Sequence, residues 1–229
     1  MQVIVLADGH VGPRDAIDVA WPGWIEPNPY IVAADGGARH AVTLGLRIDR
    51  WVGDGDSIGE AGLAELIAAG IPVERARTDK DASDTELAII AGLELDPVAI
   101  TIVGALGGPR LDHALANLGL LAMPGLRGRD ARLVAADARV RLMQAPGHDG
   151  APVRLSLQGG ADDGVSLLPI GDDAAGITTE GLRYPLHDEP LLVGRTRGLS
   201  NVRSDPTRAA VTLRRGRLLV VETPATLWR

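Results

Sequence analysis

Short apolar runs alternate with helix-like stretches over the first 138 residues, and this alternation limits the possible folds more than any other feature of the sequence. Apolar runs of strand length separated by helix-length segments are typical of βαβ units, in which neighbouring strands are parallel. The predicted strands are residues 3–7, 31–34, 51–53, 99–103 and 132–135. The predicted helices are residues 60–69, 85–95 and 111–123. The sequence therefore predicts an α/β domain built on a parallel sheet.

The third predicted helix has the clearest periodicity. Its apolar residues recur at intervals of three or four positions, at Leu111, Leu115, Leu118 and Ala122. This spacing places side chains on one face of a helix. We expect that face to be buried.

The pattern changes from residue 139 onward, where no helical period is found. The apolar runs, separated by Gly, Pro, Asp and Asn, are residues 153–157, 165–170, 191–193 and 209–221. Such runs are typical of antiparallel β structure. Arg215 and Gly216 interrupt the last run, which predicts a β-hairpin between residues 211–214 and 217–221.

This change of pattern predicts two domains, an α/β domain over residues 1–138 and an all-β domain over residues 139–229. No apolar run reaches the roughly 18 residues that a membrane-spanning helix requires. The amino terminus lacks the basic region and the cleavage site of a signal peptide. We therefore expect a cytoplasmic enzyme or binding protein that does not contact a membrane.

Composition excludes several classes of protein. The chain contains no cysteine, which rules out disulfides, thiolate nucleophiles and cysteine zinc sites. Its formal net charge of −7 argues against a nucleic-acid-binding protein. Lys80 is the only lysine, and it does not lie in the motif of a P-loop enzyme or a protein kinase. A phosphate-binding site in this chain must therefore use arginine, backbone amides and a metal.

A first acidic segment directly follows a predicted strand. Residues 53–57 read GDGDS, so Asp54 and Asp56 can both face one hard cation such as Mg²⁺. The alternative is a helix cap, because Ser57 and Glu60 have the spacing of a capping box. Capping accounts for the serine but does not account for the two aspartates.

A second acidic segment precedes a predicted helix. Residues 78–86 read TDKDASDTE. Ser83 and Glu86 form another capping box, which predicts that Asp84 and Thr85 begin the helix. In the alternative interpretation Asp84 only complements the helix dipole. That interpretation leaves unexplained why three aspartates surround the only lysine.

A glycine-rich segment follows the predicted strand 99–103. Residues 104–108 read GALGG, and Arg110, Asp112 and His113 follow at the start of a helix. Glycines allow close approach of the backbone, helix amides point outward and arginine adds a fixed charge, so the segment favours anion binding. The alternative is an ordinary turn between a strand and a helix.

Residues 55–59 also match the Gly-x-Ser-x-Gly motif of α/β-hydrolases. This match gives an alternative function, an esterase with Ser57 as its nucleophile. Against it, the carboxylates of Asp54 and Asp56 would oppose the oxyanion that forms during acyl transfer.

Taken together, these motifs resemble the thiamine pyrophosphokinase (thiamine diphosphokinase) family. The matching segments are residues 34–38 (ADGGA), 53–58 (GDGDSI), 80–88 (KDASDTELA), 107–117 (GGPRLDHALAN), 166–169 (SLLP), 179–186 (TEGLRYPL) and 198–201 (GLSN). They occur in family order over nearly the whole chain. Each is weak alone, and the combination is specific. One departure is Pro109, which separates Arg110 from the glycine pair that it directly follows in the family.

The resemblance implies a Mg²⁺-dependent transfer of the β,γ-diphosphate of ATP to the hydroxyl of thiamine, giving thiamine diphosphate and AMP. It also implies a Rossmann-like parallel-sheet domain that binds ATP and Mg²⁺. A smaller β-sandwich domain would follow, bind thiamine and form a homodimer with shared active sites. A non-catalytic sensor of nucleotides or thiamine phosphates is a further alternative.

The resemblance also implies roles for individual residues. The implied metal ligands are Asp54, Asp56 and Asp84. The implied catalytic residues are these three together with Lys80 and Asp81. The implied ATP-binding residues are Asp35, Gly36, Gly37, Thr85, Arg110 and Asp112. The implied thiamine-binding residues are Ser200 and Asn201.

Overall fold

The computed structural model describes residues 1–227 and divides the chain into two compact units. Unit 1 comprises Met1–Val19 and Gly23–Ala136, and unit 2 comprises Ala20–Pro22 and the chain from Asp137. The predicted fold class, an α/β domain followed by a smaller β-sandwich, is confirmed. Within residues 1–227, no helix is long and apolar enough to cross a membrane.

Unit 1 alternates strands with helices. Its strands are β1 (Gln2–Leu6), β2 (Tyr30–Ala34), β3 (Arg50–Gly53), β4 (Val73–Arg75), β5 (Ala99–Val103) and β6 (Asp130–Val134). Its helices are α1 (Arg14–Ala20), α2 (His40–Leu44), α3 (Gly59–Ala68), α4 (Asp84–Leu93) and α5 (Leu111–Leu120). The six strands are parallel, in the spatial order β6-β5-β1-β2-β3-β4.

The sheet of unit 1 places its loops where a ligand can bind. Strands β1 and β5 are buried at every position, as expected of a parallel sheet that is covered on both faces. From β1 the chain continues to β2 on one side of it, and it later adds β5 on the other side. Ligands of open α/β sheets bind outside the carboxyl ends of the strands, at the point where the order reverses. That point lies between the loops that leave β1 and β5.

Helix α5 does not bury the face that its periodicity predicts. Leu111 is 72% exposed and Leu115 is 59% exposed, whereas Asn117 and Leu121 are buried. The amide Nδ2 of Asn117 donates a hydrogen bond of 3.0 Å to the backbone oxygen of Ala105. A buried amide needs such a partner, so this bond turns the face of Asn117 inward and leaves the two leucines outside.

Unit 2 consists of antiparallel strands. They are β7 (Arg139–Ala145), β8 (Val153–Ser156), β9 (Gly164–Pro169), β10 (Ala174–Glu180), β11 (Glu189–Leu191), β12 (Asn201–Val202), β13 (Ala210–Leu213) and β14 (Gly216–Thr223). One group has the order β12-β9-β14-β7 and the other has the order β11-β10-β13-β8. Val165, Ile177, Val211 and Val220 belong to the apolar core of this unit, and both strand groups contribute to it.

The predicted hairpin between residues 211–214 and 217–221 is wrong. Strand β13 pairs with β8 and β10, while β14 pairs with β7 and β9, so the two strands belong to different sheets. Gly216 begins β14 with a φ of 102°, a backbone conformation that favours glycine. The glycine therefore marks a change of sheet, which its sequence context does not distinguish from a tight turn.

Candidate active site

Three carboxylates converge at the carboxyl edge of the unit 1 sheet. Asp35 follows β2, Asp54 follows β3 and Asp84 is the first residue of α4. One oxygen from each carboxylate lies within 4.8 Å of the other two. These residues are far apart in sequence, and the parallel sheet brings them together because its strands end at one edge. We refer to Asp35, Asp54 and Asp84 as the acidic trio.

Lys80 ties two members of the acidic trio together. Its Nζ lies 2.7 Å from Oδ2 of Asp54 and 2.9 Å from Oδ1 of Asp84. The hydrogen bond from Lys80 is the largest influence on Asp54 and holds the pKa of its carboxyl below the usual range. Burial alone would lower the pKa of Lys80, but the two carboxylates outweigh it and raise that pKa. The lysine is therefore a charged group that offsets the repulsion within the trio.

Asp35 is the buried member of the acidic trio. Its carboxylate accepts hydrogen bonds from the backbone N–H groups of Ser57 (3.0 Å) and Ile58 (3.2 Å). Burial is the largest influence on this carboxyl and raises its pKa, with a further contribution from the facing carboxyl of Asp56. The side chain therefore connects the end of β2 to the start of α3.

Asp35 also explains why one predicted helix cap is wrong. The N-cap of α3 is Ile58, and no side chain caps it locally. The carboxylate of Asp35 accepts from amides near the start of this helix instead, which a capping serine would otherwise have to do. Glu60 forms an ion pair of 2.6 Å with Nη2 of Arg75. The other predicted cap is confirmed, because Oγ of Ser83 accepts a hydrogen bond of 3.2 Å from the N–H of Glu86.

The other residues predicted for this acidic site lie beside the trio. Asp56 is exposed, and its N–H donates a hydrogen bond of 3.1 Å to Oδ1 of Asp54. Asp81 is exposed in the loop before α4, and Thr85 is half-buried in the first turn of that helix. The hydroxyl of Ser57 donates to Oδ1 of Asp56 at 3.1 Å. The hydroxyl that the esterase alternative requires as its nucleophile is therefore hydrogen-bonded to a carboxylate, and it lies on an acidic loop.

Glycine-rich loops follow β1, β2 and β5 at the same edge of the sheet. The N–H of Gly9, after β1, donates a hydrogen bond of 2.7 Å to the oxygen of Gly104, after β5. A Cβ on Gly9 would lie 2.3 Å from that oxygen, and one on Gly37 would lie 2.1 Å from the oxygen of Leu6. Only glycine, which has no Cβ, allows two backbone segments to lie this close together. Loops of this kind expose backbone amides to a bound anion.

Arg110 and Asp112 bind each other at the surface. Nε and Nη2 of Arg110 lie 3.0 and 2.6 Å from the two carboxylate oxygens of Asp112. The hydrogen bond from Arg110 is the main cause that lowers the pKa of Asp112 to about 2. Both side chains are exposed at the start of α5, in the segment that follows the glycine-rich loop.

The two predicted thiamine-binding residues lie in unit 2. Ser200 is exposed and has a φ of 59°, and its N–H donates to Oγ of Ser166 at 3.1 Å. Asn201 is buried. Its Oδ1 accepts from the N–H groups of Tyr184 (3.0 Å) and Val202 (2.8 Å), and its Nδ2 donates to the oxygen of Tyr184 at 2.7 Å. The side chain of Asn201 therefore holds the backbone of its own unit.

A parallel α/β sheet with glycine-rich loops and metal-competent carboxylates at one edge suits the class of enzymes that transfer phosphoryl groups from a nucleotide. Two family models agree with this class. The model described as thiamin pyrophosphokinase, catalytic domain, matches residues 23–134, and the one described as thiamin pyrophosphokinase, vitamin B1 binding domain, matches residues 153–218. The chain belongs to the thiamine pyrophosphokinase family, whose members are ATP-dependent diphosphotransferases.

Individual relatives agree with this family. The chain is 27% identical to thiamine pyrophosphokinase of Bacillus subtilis (strain 168) over 194 residues, which cover 83% of this chain and 85% of that protein. It is 30% identical to thiamine pyrophosphokinase 1 of Arabidopsis thaliana over 158 residues, which cover 66% of this chain and 56% of that protein.

Solved structures share the fold. The crystal structure of thiamine pyrophosphokinase from Bacillus subtilis matches with a TM-score of 0.78 at 23% identity. The match covers 98% of this chain and 99% of that chain. The crystal structure of a thiamin pyrophosphokinase family protein from Enterococcus faecalis matches with a TM-score of 0.77 at 25% identity. This match covers 97% of this chain and 99% of that chain.

Proposed function

We propose that this chain transfers the β,γ-diphosphate of ATP to the hydroxyl of thiamine, with Mg²⁺ at the acidic trio. The observation that carries the proposal is the convergence of Asp35, Asp54 and Asp84 with Lys80 beside the glycine-rich loops. Transfer of a phosphoryl group needs little covalent help from a protein, and it depends on position and on neutralised charge. The trio and its lysine fit that need.

The acidic trio suits a magnesium ion. Carboxylate oxygens are the hard ligands that Mg²⁺ prefers, and those of Asp35, Asp54 and Asp84 are close enough together to hold one ion. We assign Asp56 to the same centre, because its carboxyl faces that of Asp35. When bound, Mg²⁺ supplies positive charge to the phosphate oxygens. The proposed ligand set therefore adds Asp35 to the three aspartates that the family resemblance implies.

In this proposal Lys80 both positions two carboxylates of the acidic trio and attracts the phosphates of ATP. It holds Asp54 and Asp84 in place by direct ion pairs, and its ammonium group is a fixed cation between these two carboxylates. A cation at this point also attracts the phosphate oxygens of ATP. Asp81 lies next to Lys80 at the surface, and we assign it to the outer wall of the site.

We assign ATP to the loops along the carboxyl edge. A Cβ on Gly107 or Gly108, after β5, would meet no atom nearer than 3.6 Å, so this part of the loop has room for a phosphate, which backbone amides can bind. Gly36 and Gly37 belong to the loop after β2, and Thr85 belongs to the first turn of α4. Arg110 is exposed and forms an ion pair with Asp112. To bind a phosphate of ATP, its guanidinium exchanges the carboxylate of Asp112 for the phosphate oxygens.

We assign thiamine to the surface around Ser200 in unit 2. The matched vitamin B1 binding domain includes this residue, and its side chain is exposed. The hydrogen bonds of Asn201 give that residue a supporting role, which fixes the backbone next to Ser200. A homodimer with active sites shared between subunits, and a cytoplasmic location, complete the proposal.

The test is a reaction with ATP, Mg²⁺ and thiamine, followed by separation of the nucleotides. The proposal predicts AMP and thiamine diphosphate in equal amounts, and no AMP when thiamine is omitted. Binding of ATP and thiamine without AMP would support the sensor alternative and contradict the proposal. Hydrolysis of simple esters without ATP, lost in Ser57→Ala, would support the esterase alternative.

A further inference from the structure

Arg39 connects three loops at the carboxyl edge of unit 1. It lies in the turn that follows β2. Its Nη2 donates to Oδ1 of Asp8, in the loop after β1, at 2.8 Å. Its Nη1 donates to the backbone oxygen of Ser57, in the loop after β3, at 2.9 Å. One guanidinium thus joins the ends of three neighbouring strands.

The backbone is shaped to accept this contact. A Cβ on Gly36 would lie 2.5 Å from Oδ2 of Asp8 and 2.7 Å from Nη2 of Arg39. The ion pair therefore lies directly over Gly36, and a larger residue there would displace it. Arg39 therefore holds the loop after β1 through Asp8.

The position of the loop after β1 affects the proposed phosphate loop directly. Gly9 is hydrogen-bonded to Gly104, and a Cβ on Gly108 would lie 3.6 Å from the Cα of Gly9. On its other side, Arg39 bonds to Ser57, whose N–H is bound by the carboxylate of Asp35. A shift of Arg39 would therefore change the distance between the glycine-rich loop and the acidic trio.

Global stability does not explain this ion pair. The side chain of Arg39 is 55% exposed and that of Asp8 is 38% exposed. Exposed ion pairs contribute little to the free energy of unfolding, whereas a two-armed arginine fixes the geometry of the groups that it binds. The contact is therefore suited to local positioning at the site.

We propose that Arg39 is a positioning residue for ATP, which acts through Asp8 and Ser57 to set the spacing between the phosphate loop and the acidic trio. The inference rests on the proposed function, since it assigns ATP to these loops. It predicts that Arg39 and Asp8 act as one unit. Loss of either partner should weaken ATP binding, and loss of both should do no further harm.

The test is a double-mutant cycle with Asp8→Asn, Arg39→Gln and the double variant. We measure KM for ATP and kcat at saturating Mg²⁺ and thiamine, and the Kd of ATP with Mg²⁺ by calorimetry. Coupled neighbours interact strongly enough that each single variant should raise KM and Kd about tenfold. The KM and Kd of the double variant should equal those of the single variant that binds ATP less tightly. In all three variants kcat should change by less than about twofold.

A matched control is available at the opposite edge of the same sheet. Nη2 of Arg129 lies 2.7 Å from Oδ1 of Asp96. Arg129 also donates hydrogen bonds to the backbone oxygens of Pro97, which precedes β5, and Gly125, which precedes β6. Arg129→Gln and Asp96→Asn remove a contact of the same chemistry. Both should leave KM and Kd for ATP unchanged.

Several results would overturn the inference. Unchanged KM and Kd in both single variants would do so, as would effects that add in the double variant. A rise in Arg39→Gln alone would assign Arg39 to a direct phosphate contact instead. Wild-type protein that makes no AMP would contradict the proposed function, and the Kd values would still decide whether Arg39 and Asp8 act together.

Discussion

Lys80 forms ion pairs with two of the three carboxylates of the acidic trio. Two carboxylates within a few ångströms repel each other, and an ammonium group between them turns part of that repulsion into attraction. The structure places Nζ of Lys80 between Asp54 and Asp84. The lysine therefore offsets part of the repulsion between Asp54 and Asp84 and lowers the pKa of Asp54, whereas burial raises the pKa of Asp35.

Asp54→Asn should lower kcat by on the order of 100-fold, because it removes a metal-ligand charge and one anchor of Lys80. Asp56→Asn should also lower the rate, but higher Mg²⁺ should restore part of it because Lys80 stays bound. A titration of rate against Mg²⁺ measures both effects. Asp79→Asn is the control, since exposed Asp79 pairs with Arg77 in the same loop. Near-normal turnover in Asp54→Asn would contradict the assignment.

A second charged group stabilises unit 2. The carboxylate of Glu222 is fully buried and accepts hydrogen bonds from Arg139 (2.8 and 2.9 Å), Arg141 (2.8 Å) and Arg203 (2.7 Å). Burial alone would raise the pKa of Glu222, but the three guanidiniums outweigh it and hold that pKa below its usual range. The group therefore favours the folded state when Glu222 is ionised.

Glu222→Gln should lower the free energy of unfolding by about 3 kcal/mol or more, because three buried guanidiniums lose their shared anion. The pKa of Glu222 is lower in the folded state, so its contribution is present above pH 4.5 and is lost as the pH falls through the folded value. Urea unfolding near neutral pH and at about pH 3 measures the difference, which should shrink in acid. A difference that is equal at both pH values would refute this account. Glu180→Gln, at an exposed ion pair, should change little.

At this scale the sequence singles out most, but not all, of the residues that we assign to the proposed site. The acidic segments at Asp54 and Lys80 are recognisable because several polar residues stand close together. Asp35 is assigned from the sequence only to ATP, since a lone aspartate after a strand carries no sign of its distant partners. Arg39 gives no sequence signal, because its bonds to Asp8 and Ser57 span 31 and 18 residues.

At the scale of elements, α4 presents both Asp84 and Thr85 from its first turn. Ser83 caps this helix, so Ser83→Ala should cost about 1 kcal/mol in the free energy of unfolding. Ser57→Ala is the matched control, because Ser57 does not cap α3. It should change stability less and leave diphosphate transfer largely intact. Thermal unfolding and initial rates of AMP formation measure both, and equal destabilisation would contradict the distinction.

Element types follow from the sequence better than element partners do. Strand β5 begins and ends as predicted, because a continuous apolar run between polar segments has few other interpretations. The pairing of β13 and β14 with different sheets is a property of the whole unit 2 core. Likewise, the orientation of α5 depends on one buried amide at Asn117. Neither property has a local signal.

For the whole molecule, the proposal of shared sites predicts complementation between inactive chains. Asp54→Asn removes a metal ligand, and Ser200→Lys places a cation against cationic thiamine. If sites are shared in a two-fold dimer, half of the dimers formed by random exchange are mixed, and each has one intact site, so about one quarter of the activity should return. Sedimentation velocity establishes whether the protein is a dimer. A mixture that stays inactive after proven exchange would refute shared sites.

The most direct test of the central claim uses ATP labelled with ³²P at its β phosphorus. If the acidic trio and the glycine-rich loops direct transfer of a diphosphate, all transferred label should appear in thiamine diphosphate, and AMP should be unlabelled. Asp54→Asn should slow the transfer by on the order of 100-fold under the same conditions. Labelled ADP together with unlabelled thiamine monophosphate would show transfer of a single phosphoryl group and would contradict the account.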